Sequence, residues 1–410
     1  MHPTSNPTNQ FKNHLNEAPA FARIVISLLE RLKNGSLYVE FPNGKARQLG
    51  KGGTIHARLK MANWGICAAS LKSGDIGFAE SYIAGDWNTP DLTTLIRLLI
   101  QNRAEVESII YGTWTGRLVY KIKHWLNRNS RSNSKKNIQS HYDLGNSFYQ
   151  LWLDPTMNYS SALFQGDFTK SLEEAQSAKI RRALDQIEIK QGARILEIGC
   201  GWGALAEIVC NSTSTEYTGI TLSQEQLSFS NDRLRDLGLQ GQATFRMQDY
   251  RDLHDEPFDA ICSIEMIEAV GQSYWPTYFE TLAKMLKPGA KACVQSIVIH
   301  DSLFERYINS TDFIQQYIFP GGCLLSPAEF VRQAQNAGLE VIDSFSFGHD
   351  YAETLRRWRE AVFVKEKEIL EMGFDNKFIR IWTFYLSYCE AAFLEYNTDV
   401  LQYTLVKPLE

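Results

Sequence analysis

Three glycines separated by single residues are the clearest chemical signal in this chain. Gly199, Gly201 and Gly203 follow a short apolar segment over 194–198, and helical periodicity begins at Ala204. Because glycine has no Cβ, the backbone at these positions can approach a ligand closely. The order of strand, glycine turn and helix predicts a ligand cradle, although a glycine-rich turn without a ligand is the alternative. The spacing G-x-G-x-G differs from the dinucleotide-binding pattern G-x-G-x-x-G.

Polar residues follow the next two predicted strands, at the sheet edge where ligands of parallel sheets bind. Thr221, the Leu222 backbone and Gln226 come after one strand, and Asp249 and Tyr250 come after the other. Together with the glycine turn, this order resembles class I S-adenosylmethionine-dependent methyltransferases. The resemblance implies a cofactor site made of Tyr159, Ser160, Glu197, Gly199, Cys200, Gly201, Gly203, Thr221, Leu222, Gln226, Asp249, Tyr250 and Ile264.

Several further motifs are similar to one family of these methyltransferases. The stretches 141–146 (HYDLGN), 153–157 (LDPTM), 318–324 (IFPGGCL) and 347–351 (FGHDY) carry the likeness. They resemble the cyclopropane fatty acid synthase family, which includes mycolic acid cyclopropane synthases and methyltransferases. The likeness covers roughly residues 138–400, and the N-terminal part resembles the lipid-binding domain of the bacterial phospholipid enzymes.

The resemblance implies a reaction in which the cis double bond of an acyl chain attacks the methyl group of S-adenosylmethionine. A carbocation results, so the pocket must exclude water, and aromatic faces can stabilise the charge. Core packing explains the apolar residues of this region equally well. For the acyl channel the resemblance implies Phe304, Tyr317, Phe319, Pro320, Gly321 and Gly322.

The resemblance also implies a base, because a proton must leave the carbocation. In the family a bound bicarbonate is held by a cysteine, a glutamate, a histidine, a tyrosine and a backbone carbonyl. Glu268, Tyr351 and Ile297 match the glutamate, the tyrosine and the backbone position. Ser161 and Gln295 replace the cysteine and the histidine. Both can donate hydrogen bonds to an oxyanion, but Gln295 carries no positive charge, so weaker bicarbonate binding is implied.

These replacements leave two products open. Loss of a proton from the newly added methyl group closes a cyclopropane. A hydride shift before proton loss leaves a methylene branch, which a separate reductase could convert into a methyl branch.

Two of the residues implied to be catalytic also have structural interpretations. Glu268 could instead be the partner of a structural ion pair, and Tyr351 could instead be a core tyrosine.

Composition excludes several other classes of protein. The 410 residues are 44% hydrophobic and 22% charged, as is usual for a soluble globular protein. The polar N-terminus predicts no signal peptide, and no apolar run is long enough to predict a membrane span. Seven dispersed cysteines without a C-x-x-C pair favour a reducing cytoplasm. The histidine spacing predicts no metal site, and the absence of G-x-S-x-G argues against an acyl hydrolase.

Charge is divided unevenly along the chain. Residues 1–136 contain 19 Lys and Arg against 9 Asp and Glu, although the whole chain has a net charge of −5. This excess predicts an anionic partner; a membrane surface is favoured over nucleic acid because no nucleic-acid-binding motif is present. Residues 114–128 predict a basic amphipathic helix with interfacial tryptophans. Packing of its apolar face within its own domain is an equal alternative.

The elements that must position these residues alternate between strand and helix from residue 138 onward, which predicts an α/β fold. We expect a Rossmann-like, mostly parallel, doubly wound sheet, with a last edge strand at 400–406, preceded by a smaller and largely helical N-terminal domain. Strands at 36–41 and 46–49, joined by Pro42-Asn43-Gly44, predict a hairpin there. The predicted domains are a disordered N-terminus (1–20), a basic lipid- or membrane-binding domain (21–126), a linker (127–137), and a catalytic domain (138–410) with an acyl-chain-binding insertion (301–326).

The sequence is therefore interpreted as a cytoplasmic methyltransferase, peripherally bound to the inner face of the membrane, that acts on unsaturated phospholipid acyl chains. Its predicted function is that of a cyclopropane-fatty-acyl-phospholipid synthase. A methyl-branching enzyme is the alternative, followed by a non-catalytic lipid-binding homologue, and an RNA methyltransferase is disfavoured. The headgroup, the double-bond position and the oligomeric state, including a homodimer, stay open.

Overall fold

The computed structural model describes residues 18–111, 144–212 and 214–409, and for residues 108–111 it describes the backbone alone. The predicted amphipathic helix at 114–128, the linker at 127–137 and His141 lie outside the described residues. The chain divides into two compact units. The first contains residues 1–122, 311–313 and 375–395, and the second contains residues 123–310, 314–374 and 396–410.

The described residues form strands and helices with the following bounds. The strands are β1 (Gly35–Glu40), β2 (Ala46–Gly52), β3 (His56–Met61), β4 (Trp87–Asn88), β5 (Arg194–Ile198), β6 (Glu216–Thr221), β7 (Ala243–Met247), β8 (Phe258–Ile264), β9 (Leu286–Ile299), β10 (Glu340–Ser346) and β11 (Thr398–Val406). The α-helices are α1 (Ala20–Leu29), α2 (Gly65–Ile83), α3 (Leu92–Gln101), α4 (Arg103–Tyr111), α5 (Asn146–Gln150), α6 (Leu172–Ile187), α7 (Ala204–Ser212), α8 (Gln224–Asp236), α9 (Trp275–Met285), α10 (Asp301–Ile308), α11 (Phe313–Tyr317), α12 (Pro327–Asn336), α13 (Gly348–Val364), α14 (Glu366–Glu371) and α15 (Asn376–Leu394).

The first unit contains a four-stranded sheet in the order β2-β1-β3-β4. The predicted hairpin is confirmed, since β1 and β2 pair antiparallel around the turn at 42–44. Strand β3 was not predicted, although helices form most of the regular structure of this unit, as expected. Its signal was nevertheless present: the exposed residues of HARLKM alternate with the buried Ala57, Leu59 and Met61, which is the period of a strand with one buried face.

Helix α15 packs within the first unit, although the predicted catalytic domain ran unbroken from 138 to 410. Within this unit, Thr93 Oγ1 donates to the buried Glu390 Oε2 at 3.0 Å. Arg97 Nε lies 2.6 Å from Glu395 Oε1. Helix α15 and its C-cap residue thus supply two carboxylates, Glu390 and Glu395, to partners almost three hundred residues earlier in the chain. Sequence order alone gives no sign of such a long-range return.

Asp75 on α2 is a buried carboxyl of the first unit. Its Oδ2 accepts hydrogen bonds from Tyr388 Oη at 3.0 Å and from the Phe313 backbone N–H at 3.4 Å. Burial, followed by the charge of Asp312, raises the pKa of Asp75 from 3.8 to about 7. A carboxyl with a raised folded-state pKa stabilises the fold fully below its unfolded pKa, and this stabilisation is lost as pH rises through the folded value.

We therefore expect Asp75→Asn to increase the free energy of unfolding above neutral pH. The gain should reach about 1–3 kcal/mol above pH 7 and should vanish near pH 4, where the wild-type carboxyl is protonated. Urea titrations of both proteins across this pH range measure it. A difference between them that stays constant with pH would contradict the raised pKa.

The second unit contains the predicted doubly wound sheet, in the order β10-β11-β9-β8-β5-β6-β7. The five strands from β9 to β7 pair in parallel, and β11 is antiparallel to both of its neighbours. The prediction that residues 400–406 form the edge strand is wrong, because β11 lies between β10 and β9. Residues 400–405 are all buried, which fits an interior strand covered on both faces.

Strands β5 and β8 are buried on both faces of this sheet. Leu196 and Ile261 pack into one apolar cluster, while Ile195 and Ala260 pack into the other. Since successive residues of a strand point to opposite faces, these strands form the centre of a helix–sheet–helix sandwich. Their carboxyl ends therefore meet at one fixed edge of the sheet. Over the ranges that the structure describes, no helix is long and apolar enough to cross a membrane.

Candidate functional site

A cavity opens at the carboxyl ends of β5, β6 and β8. Eleven of the thirteen residues predicted to bind the cofactor line it, and Gly203 and Asp249 do not. Lys179, Gln248, Glu265, Met266 and Ala269 line it as well. The predicted cofactor residues in its wall are Tyr159, Ser160, Glu197, Gly199, Cys200, Gly201, Thr221, Leu222, Gln226, Tyr250 and Ile264.

The three glycines of the turn have left-handed backbones but different surroundings. Their φ angles are +85° at Gly199, +51° at Gly201 and +83° at Gly203. A Cβ at Gly201 would meet no protein atom within 4 Å, whereas a Cβ at Gly203 would lie 3.1 Å from the Ser230 side chain. Gly201 therefore keeps the cavity open, and Gly203 allows α7 and α8 to pack closely.

Thr221 and Gln226 form a buried polar pair at the end of β6. Thr221 Oγ1 donates to Gln226 Oε1 at 2.8 Å, and Ser223 caps α8 by accepting from the Gln226 backbone N–H. With Oε1 occupied, the Gln226 side chain presents its amide donor for a hydroxyl ligand. The pair is therefore suited to bind the hydroxyl groups of a ligand such as a ribose.

Asp249 is held by Arg251 and does not face the cavity. Its two carboxylate oxygens accept from Arg251 Nε at 2.9 Å and Nη2 at 2.5 Å. A bidentate ion pair of this kind is a strong interaction, so both oxygens are committed within the protein. Tyr250 and Gln248, the residues on either side, line the cavity instead. The predicted role of Asp249 in binding the cofactor has no support in this arrangement.

Two buried ionisable groups in the wall have shifted pKa values. Burial raises the pKa of Glu197 to about 7, and Tyr217 Oη donates to its Oε2. Burial lowers the pKa of Lys179 to about 8, and its Nζ lies 2.6 Å from Ser160 Oγ. Sequence reasoning missed Lys179. Its signal is its place in α6, four residues from each of the buried Ala175 and Ala183, a spacing that puts a lysine on the apolar face.

Glu265 is the centre of a hydrogen-bonded group that we call the carboxylate cluster: Glu265, Ser161, Gln295 and Tyr351. Its Oε1 accepts from the Ser161 backbone N–H at 2.8 Å and from Gln295 Nε2 at 2.7 Å. Its Oε2 accepts from Tyr351 Oη at 2.6 Å. Three of the five residues predicted to be catalytic thus converge on a glutamate that sequence reasoning missed. The available signal was its position, directly after a central strand.

Glu268 and Ile297 lie beside this cluster. The Ile297 backbone N–H donates to Glu268 Oε1, while Oε2 is buried without a partner in the described residues. Burial, and then the charge of Glu265, raise the pKa of Glu268 to about 8. Two neighbouring carboxyls in a buried site favour one proton between them. The hydrogen-bond donors around Glu265 favour placing that proton on Glu268.

The predicted acyl-channel residues do not line the cavity, and their role stays a prediction. Phe304 stacks on Trp275 with ring centroids 6.3 Å apart. The Cys323 backbone N–H donates to the Glu268 carbonyl at 2.8 Å. The segment 318–324 therefore lies against the turn that carries Glu268. The described residues contain no group of three His, Cys, Asp or Glu side chains placed to hold a metal ion.

The cavity has the features that S-adenosylmethionine needs. The backbone at Gly201 leaves space for a ligand, a polar pair lies at the end of β6, and an aromatic ring lies at Tyr250. Gly199 and Gly201 would hold the methionine part, Thr221 and Gln226 the ribose, and Tyr250 the adenine. When bound, this cofactor supplies an electrophilic methyl group on a sulfonium.

Comparison with known proteins identifies the family of this chain. The sequence profile of the family described as mycolic acid cyclopropane synthetase matches residues 129–403. Tuberculostearic acid methyltransferase UfaA1 of Mycobacterium tuberculosis is 34% identical over 392 residues, which cover 91% of this chain and 83% of that protein. Cyclopropane-fatty-acyl-phospholipid synthase of Escherichia coli is 31% identical over 358 residues, which cover 87% of this chain and 90% of that protein.

A solved structure extends the likeness to the fold. Mycolic acid cyclopropane synthase CmaA1, complexed with SAH and CTAB, has a TM-score of 0.62 and 28% identity, and the match covers 66% of this chain and 97% of that one. The predicted fold class and the predicted family are both confirmed. The chain belongs to the mycolic acid cyclopropane synthetase family of S-adenosylmethionine-dependent methyltransferases.

Proposed function

We propose that this protein transfers a methyl group from S-adenosylmethionine to the cis double bond of an unsaturated phospholipid acyl chain and closes a cyclopropane ring. The observation that carries the proposal is the shared cavity. Glu265, the centre of the carboxylate cluster, lines the same wall as the glycine cradle. A proton acceptor in the wall of this cavity could take a proton from the newly transferred methyl group. Loss of a proton from that group is the step that closes the ring.

The residues of the site have separable tasks in this reaction. Gly199 and Gly201 orient the sulfonium end of the cofactor, and Thr221 and Gln226 fix its ribose. The apolar residues around 304–324 would hold the acyl chain and exclude water, so that the carbocation is not trapped. The proposed nucleophile is an alkene, which needs no activation by a base.

A methylene-branched product is the second candidate. The 34% identity to a protein named tuberculostearic acid methyltransferase extends over 91% of this chain, and Ser161 and Gln295 replace the cysteine and histidine expected of ring-closing relatives. In this case a hydride shift precedes proton loss, and a separate reductase would complete a methyl branch.

Product analysis tests the function and separates its two forms. The protein is incubated with S-adenosylmethionine and vesicles of cis-unsaturated phospholipid, and the released acyl chains are examined by proton NMR. High-field cyclopropane signals are expected. Vinylidene signals would replace the first candidate with the second. Vesicles of saturated phospholipid are the control and should give neither signal. No new signal from unsaturated vesicles would contradict both candidates.

Docking of the protein on an anionic bilayer is part of the proposal. The excess of basic residues in 1–136 contributes up to about 1 kcal/mol per residue near such a surface. We expect vesicle binding to weaken as ionic strength rises through the physiological range, because salt screens surface charges. Co-sedimentation with anionic and zwitterionic vesicles at several salt concentrations measures it. An affinity that is independent of salt would contradict electrostatic docking.

A further inference from the structure

The carboxylate cluster already contains a side chain that can serve as an anion, the carboxyl group of Glu265. Each carboxylate oxygen offers about two acceptor sites. Oε1 accepts from the Ser161 backbone N–H and from Gln295 Nε2, at 2.8 and 2.7 Å, while Oε2 accepts, among the described residues, only from Tyr351 Oη, at 2.6 Å. One acceptor site on Oε2 therefore stays free in this arrangement, on a residue that lines the cavity.

Neighbouring side chains fix the direction in which Gln295 donates. Arg182 Nη1 donates to Gln402 Oε1 at 2.7 Å, so the amide nitrogen of Gln402 faces the other way. That nitrogen donates to Gln295 Oε1 at 3.0 Å. Because an arginine side chain can only donate hydrogen bonds, Arg182 fixes which end of the Gln402 amide faces it. Gln402 in turn fixes the orientation of the Gln295 amide. Gln295 therefore presents N–H donors to Glu265, which is the arrangement that an ionised carboxylate requires.

The backbone of Glu265 is also held in an unusual conformation. Its φ is +49°, in the left-handed region, and it is not a glycine. Its backbone N–H donates to the Gln295 carbonyl at 2.8 Å. Conformations of this kind cost about 1–3 kcal/mol and persist where the surroundings over-determine them, often at functional sites. Here the strained backbone places the carboxylate inside the cluster, at the end of β8.

Other carboxyls near the cavity are less suited to accept a proton. Glu197 belongs to the cradle strand and accepts from Tyr217. Glu268 does not line the cavity, and burial with the charge of Glu265 raises its pKa to about 8. Burial raises the pKa of Glu265 too, but its three hydrogen-bond donors and the charge of Lys179 oppose that shift. Glu265 is thus the better stabilised anion of the pair.

We propose that the Glu265 carboxylate fills the anion site of this enzyme permanently and accepts the proton that leaves the acyl chain, so that no bicarbonate is required. The inference rests on the proposed function and names its base. The alkene π pair forms the new C–C bond as the methyl–sulfur bond breaks, leaving a carbocation on the acyl chain. Glu265 Oε2 then takes a proton from the added methyl group, and the released C–H electron pair closes the ring.

The donors of the cluster do not fit bicarbonate in addition to Glu265. The Ser161 backbone N–H, Gln295 Nε2 and Tyr351 Oη all point at the glutamate oxygens. A second anion in contact with them would also meet the negative charge of Glu265, and like charges at short range disfavour each other. The bicarbonate role expected from the resemblance is thus taken by the chain itself.

Two substitutions at one position test the proposal. Glu265→Gln keeps the shape of the side chain but removes its basicity, so turnover should fall by about 100-fold or more. Glu265→Gly removes the carboxylate and accommodates a φ of +49° without strain. Its turnover should fall equally, and added bicarbonate or formate should then raise the turnover of this variant by about tenfold or more. The wild type should be equally active in carbonate-free and bicarbonate-containing buffer.

Binding provides a readout that does not depend on activity. NMR titration with ¹³C-labelled bicarbonate should show no binding to the wild type and binding to Glu265→Gly, because only the variant has donors to spare. Bicarbonate binding to the wild type, or wild-type turnover that requires it, would overturn the inference. Full activity of Glu265→Gln would do the same. A wild type that yields no lipid product contradicts the proposed function instead, while the titration still decides whether Glu265 fills the site.

Discussion

Replacing Gly201 with valine should weaken S-adenosylmethionine binding by at least about 100-fold. Gly201 lines the cavity, and a side chain there would meet no protein atom within 4 Å. The added atoms would therefore extend into the space that the cofactor needs. Isothermal titration calorimetry measures the change, and Gly201→Ala, which adds a single carbon, should have a smaller effect.

Backbone strain must be separated from filling of the cradle, because the φ of Gly201 is +51°. Gly192 is a matched control: it has a φ of +76°, is exposed, and has no atom within 4 Å of a built Cβ. Gly192→Val carries a similar strain but does not touch the cavity. Equal losses of affinity in the two valine variants would attribute the effect to strain and refute the cradle.

Removing the Tyr351 hydroxyl should lower turnover by about 10–100-fold. Tyr351 Oη donates to Glu265 Oε2 at 2.6 Å, and a hydrogen bond to a charged group contributes about 1.5–3 kcal/mol. Tyr351 does not line the cavity, so cofactor affinity in Tyr351→Phe should be unchanged. Steady-state kinetics with calorimetry separates the two quantities.

The pH profile of the same variant distinguishes a positioning role from simple packing. The Tyr351 hydrogen bond lowers the pKa of Glu265, so its loss should raise that pKa. Glu265 must be ionised to accept a proton, and the acidic limb of the rate profile should therefore move to higher pH. Tyr403→Phe is the control, since the buried Tyr403 hydroxyl has no partner in the described residues. If both variants behave alike, Tyr351 is a core tyrosine.

The sequence was sufficient for most of the sheet in the second unit. Strands such as β5 and β8 are apolar runs ending in turn residues, and their local pattern reflects burial on both faces. The glycine turn was equally predictable from the sequence, because a left-handed backbone conformation strongly favours glycine. Where the residues of one segment are sufficient to determine its structure, that segment alone is enough for the prediction.

The features that the sequence did not reveal depend on distant partners. Gln295 is oriented by Gln402, which lies 107 residues later, and no spacing rule links them. A single glutamate after a strand forms no recognisable sequence pattern. The role of Glu265 becomes visible only when the fold brings Ser161 and Tyr351 into hydrogen-bond contact with it. The position of β11 was misjudged for the same reason: its two neighbours are chosen by the whole sheet.

The central position of β11 has a consequence for the order in which the protein can fold during synthesis. All other strands of its sheet precede it in the chain, so β9 and β10 lack their shared neighbour until the ribosome has made residue 406. Until then both present unpaired edges, which are prone to intermolecular pairing. Because β11 also carries Gln402, the amide that orients Gln295 is in place only after translation of this strand, and chaperone demand should be greatest just before it emerges.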